Sequence, residues 1–185
     1  VQNFTTATDT FNVAVGDRAG SAVTTGTGNT LVGGLSGDAL TTGHSNVAIG
    51  RNALSTEDTG RKNTAVGFAA LELQNSDVDN LNTAVGFYAG GEVTTAIAGT
   101  FIGNQAGQNV TTGNTNTFIG ASAGISNASN KLTGANNTAV GQGALQDIEG
   151  AGNGNTCIGR DSGTDITTGV SNVLLGYANQ VSSAT

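Results

Sequence analysis

The apolar positions of this chain recur with a period of 17 residues inside one pentapeptide, Asn-Thr/Val-apolar-Val/Ile/Leu-Gly. It occurs ten times, beginning at Asn12, Asn29, Asn46, Asn63, Asn82, Gly99, Asn116, Asn137, Asn155 and Asn172. The spacings are 17, 17, 17, 19, 17, 17, 21, 18 and 17 residues. The whole unit reads approximately Asn-Thr-Ala-Val-Gly-x-x-Ala/Ser-Gly/Leu-x-x-Val/Leu-Thr-Thr-Gly-x-x. Such a unit is too short for a helical hairpin. Its β-branched residues, set between Gly and Thr-Thr-Gly, predict short strands joined by tight turns. One unit is then one coil, and stacked coils pair as parallel strands. The predicted fold is all-β: a parallel β-solenoid (β-roll) of about ten 17-residue coils, roughly 45–50 Å long at one strand spacing per coil. The aliphatic residue of the fourth position appears once per coil, not every six residues, so a flat coil with two main strands is expected. Residues 1–11 read as a lead-in or the end of a preceding coil, and residues 12–185 as a single solenoid domain.

The columns of the repeat carry separate expectations. The fourth position holds Val15, Val32, Ile49, Val66, Val85, Ile102, Ile119, Val140, Ile158 and Leu175. This unbroken aliphatic ladder is expected to fill the interior. The fifth position is Gly in every copy, which suggests a corner with positive φ or a backbone approach too close for a Cβ. The Asn of the first position suits a ladder of side-chain hydrogen bonds from coil to coil. The third position points away from the fourth, because side chains alternate along a strand. It is apolar too, with Leu31, Phe101, Phe118 and Leu174 among its members. These four are therefore expected to form a subunit interface in a rotationally symmetric oligomer, most simply a homotrimer. Replacing Phe101 and Phe118 by Asp should dissociate it. Cys157 lies in the same column as a small buried thiol.

Composition narrows the class further. The chain has 185 residues with 30 Gly, no Pro, Met or Trp, and only six Phe and two Tyr, so its core must close-pack small side chains. A net charge of −7 argues against nucleic acid and anionic membrane surfaces as partners. No apolar run is long enough to cross a membrane, and the stretch reads as a soluble segment of a longer chain. One cysteine, one histidine (His44, expected on an exposed turn) and scattered acids imply no metal site and no cofactor.

Three coils are long. Their extra residues lie within Glu72–Leu81, Ile125–Asn136 and Gln146–Gly154, polar stretches at one corner of the solenoid. Asp77, Asp79, Asn127, Lys131, Asp147 and Glu149 are the candidate receptor-contact residues there. Phe68, Phe87, Tyr88 and Tyr177 follow the glycine corner, where they are expected to pack between subunits or to stack on sugar rings.

Ser45-Asn46-Val47-Ala48-Ile49-Gly50 resembles the head repeats of trimeric autotransporter adhesins. The longer unit, as in Asn63-Thr64-Ala65-Val66-Gly67-Phe68-Ala69-Ala70-Leu71 with the Thr-Thr-Gly closings at Thr41, Thr111 and Thr167, resembles repeats of bacteriophage tail fibres and related bacterial surface proteins. The resemblance covers about 170 residues. It implies a left-handed parallel β-roll, three chains about an axis, an extracellular place on a virion tail fibre or bacterial surface, and attachment to a cell-surface glycan or protein receptor. The 17-residue period is longer than that of the adhesin heads. Ice binding is the rival function, resting on Thr pairs at 24–25, 41–42, 94–95, 111–112 and 167–168. Catalysis would need a held pair of carboxylates, and Asp77 with Asp79 is the nearest approach to one. No enzymatic role is expected.

Overall fold

The computed structural model describes residues 10–126 and 128–180. It is a β-solenoid with ten parallel strands in a single sheet, ordered as in the sequence. The strands are β1 (Val13–Val15), β2 (Thr30–Val32), β3 (Val47–Ile49), β4 (Thr64–Val66), β5 (Thr83–Val85), β6 (Thr100–Ile102), β7 (Thr117–Ile119), β8 (Thr138–Val140), β9 (Thr156–Ile158) and β10 (Val173–Leu175). Register follows the repeat alignment, so that Ala84 pairs with Phe101 and Phe101 with Phe118. The longer units keep register as well, with Phe118 opposite Ala139 across the 21-residue spacing.

Each coil has one regular strand, not two. Every strand ends at the fifth-position glycine, whose φ lies between 126° and 141° in all ten coils. At Gly33 an added Cβ would sit 2.5 Å from the carbonyl oxygen of Gly50 in the next coil, so both reasons for glycine apply at once. The remaining corners use left-handed backbone. All twenty described non-glycine residues with positive φ occupy the seventh, ninth or last position of the unit, from Phe11 to Ala178. A non-glycine residue there costs about 1–2 kcal/mol. The cost is offset by stacking: the N–H of Tyr88 donates to Phe68 O at 2.9 Å and that of Ser45 to Thr27 O at 2.9 Å. Opposite the sheet, backbone bonds between turns such as Thr24 N–H to Thr41 O (2.9 Å), with a few isolated bridges, replace a second sheet.

The interior reverses the sequence expectation for the strand's two faces. Leu31, Ala48, Ala65, Ala84, Phe101, Phe118, Ala139 and Cys157 of the third position are fully buried, and Leu174 nearly so. Leu31, Phe101, Phe118 and Leu174 are therefore core residues of the coil, not an exposed subunit interface. The fourth-position ladder (Val15, Val32, Ile49, Val66, Val85, Ile102, Ile119, Val140, Ile158, Leu175) faces outward and is half-buried or exposed throughout. Parity along the strand holds, but the inner and outer columns are exchanged.

Space inside the coil explains the exchange. Third-position side chains share a narrow interior with the small eighth position (Ala19, Ala53, Ala70, Ala89), the ninth and the twelfth (Val23, Leu40, Val93, Val110, Leu132, Ile148, Ile166). Sizes at the third and ninth positions compensate in six coils, while Ala14 with Gly20 and Ala84 with Gly90 leave room for Leu31 and Phe101 of the next coil. Leu31 goes with Gly37, Phe101 with Gly107 and Phe118 with Gly124, whereas Ala48 goes with Leu54, Ala65 with Leu71 and Ala139 with Leu145. An added Cβ at Gly107 would lie 2.3 Å from the Phe101 ring, and one at Gly124 2.2 Å from the Phe118 ring. A close-packed core permits one large side chain of the two, not both. An all-Val/Ile third column would overfill the coils that carry Leu at the ninth position.

The asparagine column behaves as expected. The buried Asn residues of the column donate Nδ2 to a turn carbonyl near the end of their own unit, as Asn29 to Gly43 O at 2.9 Å, except Asn63, which donates to Asn80 Oδ1 at 3.2 Å. Their Oδ1 accepts the N–H of the next column member, as Asn29 from Asn46 at 3.0 Å. The ladder lacks a side chain only at Gly99, where an added Cβ would lie 2.6 Å from the Phe101 ring.

Candidate assembly and receptor surfaces

The outer face of the sheet is the most regular surface of the molecule. Two columns run along it. The second position supplies Thr30, Thr64, Thr83, Thr100, Thr117, Thr138 and Thr156, with Val13, Val47 and Val173 in register. The fourth position supplies the aliphatic ladder, with Ile49, Val85, Ile102, Ile119 and Ile158 37–42% exposed. Neighbouring members belong to strands hydrogen-bonded to one another, so the side chains form one continuous apolar stripe with threonines along its side. β-Branching suits an extended backbone and explains why only Val and Ile, with one Leu, appear.

Of the candidate loop residues, Asp77 and Asp79 are tied to the coil before them and Lys131 to a coil two back. Asp79 pairs with Arg61 (3.3 Å) and Lys62, and these contacts hold its carboxyl below the ordinary aspartate range, the Lys62 hydrogen bond most of all. Asp77 accepts from Thr59 Oγ1 at 2.6 Å. Lys131 pairs with Glu92 at 3.2 Å. Asp147 is exposed and Glu149 half-buried, while Asn127 lies outside the described residues. Asp77 and Asp79 are thus engaged with the preceding coil, and the Asp79 carboxyl is held low, the opposite of what a proton donor needs. His44 is half-buried on its turn, with Nδ1 3.1 Å from Ser45 Oγ.

The added residues flank the interior twelfth position. Leu132 occupies that position in its coil, bridging Val110 and Gly150, so the extra length of the longest unit falls before it. In the two other long coils it falls after Gln74 and Ile148. Insertions leave the sheet undisturbed because they enter where the coil has only turns.

The threonine pairs are less free than a water-ordering array requires. Thr24, Thr94 and Thr111 donate their hydroxyls to carbonyls of the next coil at 3.1–3.2 Å, and Thr41 donates to Asp58.

Two features escaped the sequence reading. Glu57 stands in the twelfth column, aliphatic apart from it and Gln74 one coil on, and it is fully buried. Its Oε1 accepts the N–H of Gly60 at 2.8 Å and of Ser76 at 3.3 Å, its Oε2 has no partner, and burial raises its pKa. Gln74, one coil on, is satisfied: it donates to Thr94 O and accepts from Asn82, at 2.8 and 2.7 Å. The second feature is Arg51, which lies over the Phe68 ring with 5.9 Å to the centroid. Alignment of the units would have marked both, as a charge in an aliphatic column and as a cation one coil before an aromatic at the same position.

Among the described residues no group of three or more His, Cys, Asp or Glu is placed to hold a metal ion, and no helix is long and apolar enough to cross a membrane. Cys157 is buried, and burial raises its thiol pKa. Compared with known proteins, the chain matches no family model, no curated protein and no solved structure.

Proposed function

We propose that this chain is a non-enzymatic structural and adhesive fibre segment that assembles as a homotrimer through the outer face of its sheet. The observation that carries the reading is the outward ladder of Val, Ile and Leu, repeated on every coil and open to solvent in a single chain. Soluble monomers rarely leave so continuous an apolar stripe uncovered. A symmetric assembly covers it by presenting the same stripe from each subunit. Burial of such surface stabilises by about 25 cal/mol per Å², so a stripe running the length of the rod supports a stable fibre.

Attachment follows from the resemblance of the Asn-Thr-Ala-Val-Gly units to phage tail-fibre repeats, which puts the segment on a virion and its receptor, glycan or protein, on a host cell surface. A bacterial surface adhesin is the nearest alternative. Light scattering on the purified chain tests the assembly: a concentration-independent trimer is expected, and a monomer at high concentration would sink it.

A second reading, ice binding, draws on the same face. The register of Thr30, Thr64, Thr83, Thr100, Thr117, Thr138 and Thr156 beside the aliphatic ladder favours it over the original threonine pairs. Thermal hysteresis with a monomeric mass would select this reading over the fibre.

A further inference from the structure

The Glu72–Leu81 insertion differs from the other two in what lies beneath it. Between Gln74 and Asn82 its residues are exposed except Ser76, half-buried, and Asn80, fully buried. These two are bonded to each other, Asn80 Nδ2 donating to Ser76 Oγ, and both meet the buried carboxyl of Glu57 in the coil before. The Ser76 N–H donates to Glu57 Oε1 at 3.3 Å. A Cβ added at Gly60 would lie 2.4 Å from Glu57 Oε2 and 2.3 Å from Asn80 Oδ1, so two acceptor oxygens converge on one point, and Oε2 has no donor. Asn80 Oδ1 also accepts from Arg61 N–H and Asn63 Nδ2, both at 3.2 Å, which fixes the end of the amide that faces Glu57. The charges around it are engaged elsewhere: Arg61 and Lys62 with Asp79, Asp58 with Thr41, Asp77 with Thr59, and His44 with Ser45. Leu40 and Gln74, its twelfth-column neighbours, are uncharged. Among the described residues Glu57 forms no ion pair.

The structure assigns Glu57 as a proton-operated latch that holds this insertion against the rod when protonated and releases it when ionised. A proton on Oε2 supplies the donor missing between the two converging oxygens, while Oε1 keeps the N–H groups of Gly60 and Ser76. Ionisation takes that donor away and leaves an unpaired charge in the interior, which water must then reach. The least costly way in is to lift Ser76 and Asn80, because the rest of the insertion is already exposed. Burial acts in the same direction: it raises the Glu57 pKa above 4.5, so the latch is closed below that value and opens as pH rises through the higher folded one. The other long coils carry Leu132 and Ile148 in the twelfth column and have no such group.

On the attachment reading, the latch decides when Asp77 and Asp79 leave Thr59, Arg61 and Lys62 and become free for a receptor. The latch itself lies within one chain and does not depend on that reading. Its test is hydrogen exchange of the whole chain between about pH 5 and 8, normalised to intrinsic amide rates and read by mass spectrometry on segments spanning residues 72–82. Wild type is compared with Glu57→Gln, whose amide supplies a donor at every pH, and His44→Gln is placed in both so that the imidazole contributes nothing. Protection of the insertion should fall by up to about tenfold per pH unit with Glu57 present and stay level in Glu57→Gln. Protection that is level in both, that falls equally in both, or that falls only in step with the amides of β8, β9 and β10 overturns the assignment. A monomeric mass with the expected exchange defeats the fibre and leaves the latch standing, and a trimer with level exchange does the reverse.

Discussion

The two faces of one three-residue strand carry apolar columns that obey different rules. The inner column runs from Ala48 to Phe101, and its changes in size are matched by the ninth position of the same coil, as Leu54 and Gly107, or by the next coil, as where Ala84 and Gly90 leave room for Phe101. The outer column holds only Val, Ile and Leu, and nothing else in the unit changes with it. An interior is recognised by what its members compensate for, not by how uniformly apolar they are. Outside, each side chain meets copies of itself up and down the sheet and, in the proposed fibre, would meet the same stripe of another subunit, so uniformity is what packing there requires.

The sharpest way to break the comparison is Phe101→Asp. A charge placed among fully buried side chains should abolish the cooperative thermal transition, whereas an interface residue would only have dissociated. Phe101→Ala should cost about 3–5 kcal/mol in denaturant unfolding. Adding Gly107→Leu rebuilds the Ala/Leu arrangement of Ala48 and Leu54, with Leu in the left-handed backbone that Leu54 already adopts at φ 53°, and should recover about 1–3 kcal/mol. Additive losses would refute the compensation.

Glu57→Gln should stabilise by about 1–3 kcal/mol at neutral pH, because it keeps the acceptor for Gly60 and removes a buried charge. Burial raises the Glu57 pKa, so its protonated form is the one that suits the fold. Wild-type stability from this group is present below the ordinary glutamate value of 4.5 and is lost as pH rises through the higher folded value. The gap between variant and wild type should therefore widen with pH. At the small end, Lys131→Ala breaks an exposed pair with Glu92 and should move stability by less than about 1 kcal/mol.

Period, strand position, the glycine corner and the asparagine ladder were legible because each depends on backbone geometry that recurs in every coil. The direction of the strand's faces was not read correctly, because hydrophobicity alone is silent about which of two apolar columns is enclosed. The pairing of Leu31 with Gly37 and of Ala65 with Leu71 carried the answer in volume, not polarity. A second strand was expected because the aliphatic position recurs once per coil, yet left-handed corners such as Tyr88 and Ser45 close the coil with turns. The aromatic corner was visible as residue types, but its row of Arg51, Phe68 and Phe87 forms only through the stacking of the coils.

The central claim, that the outer ladder is the assembly surface and the third column is not, is tested most directly by the native mass of Ile102→Asp/Ile119→Asp beside wild type. The account predicts a trimer for wild type and a monomer for the variant, with the β-rich circular dichroism spectrum retained. A variant that keeps the wild-type mass, or one that unfolds as an interior substitution would, contradicts it.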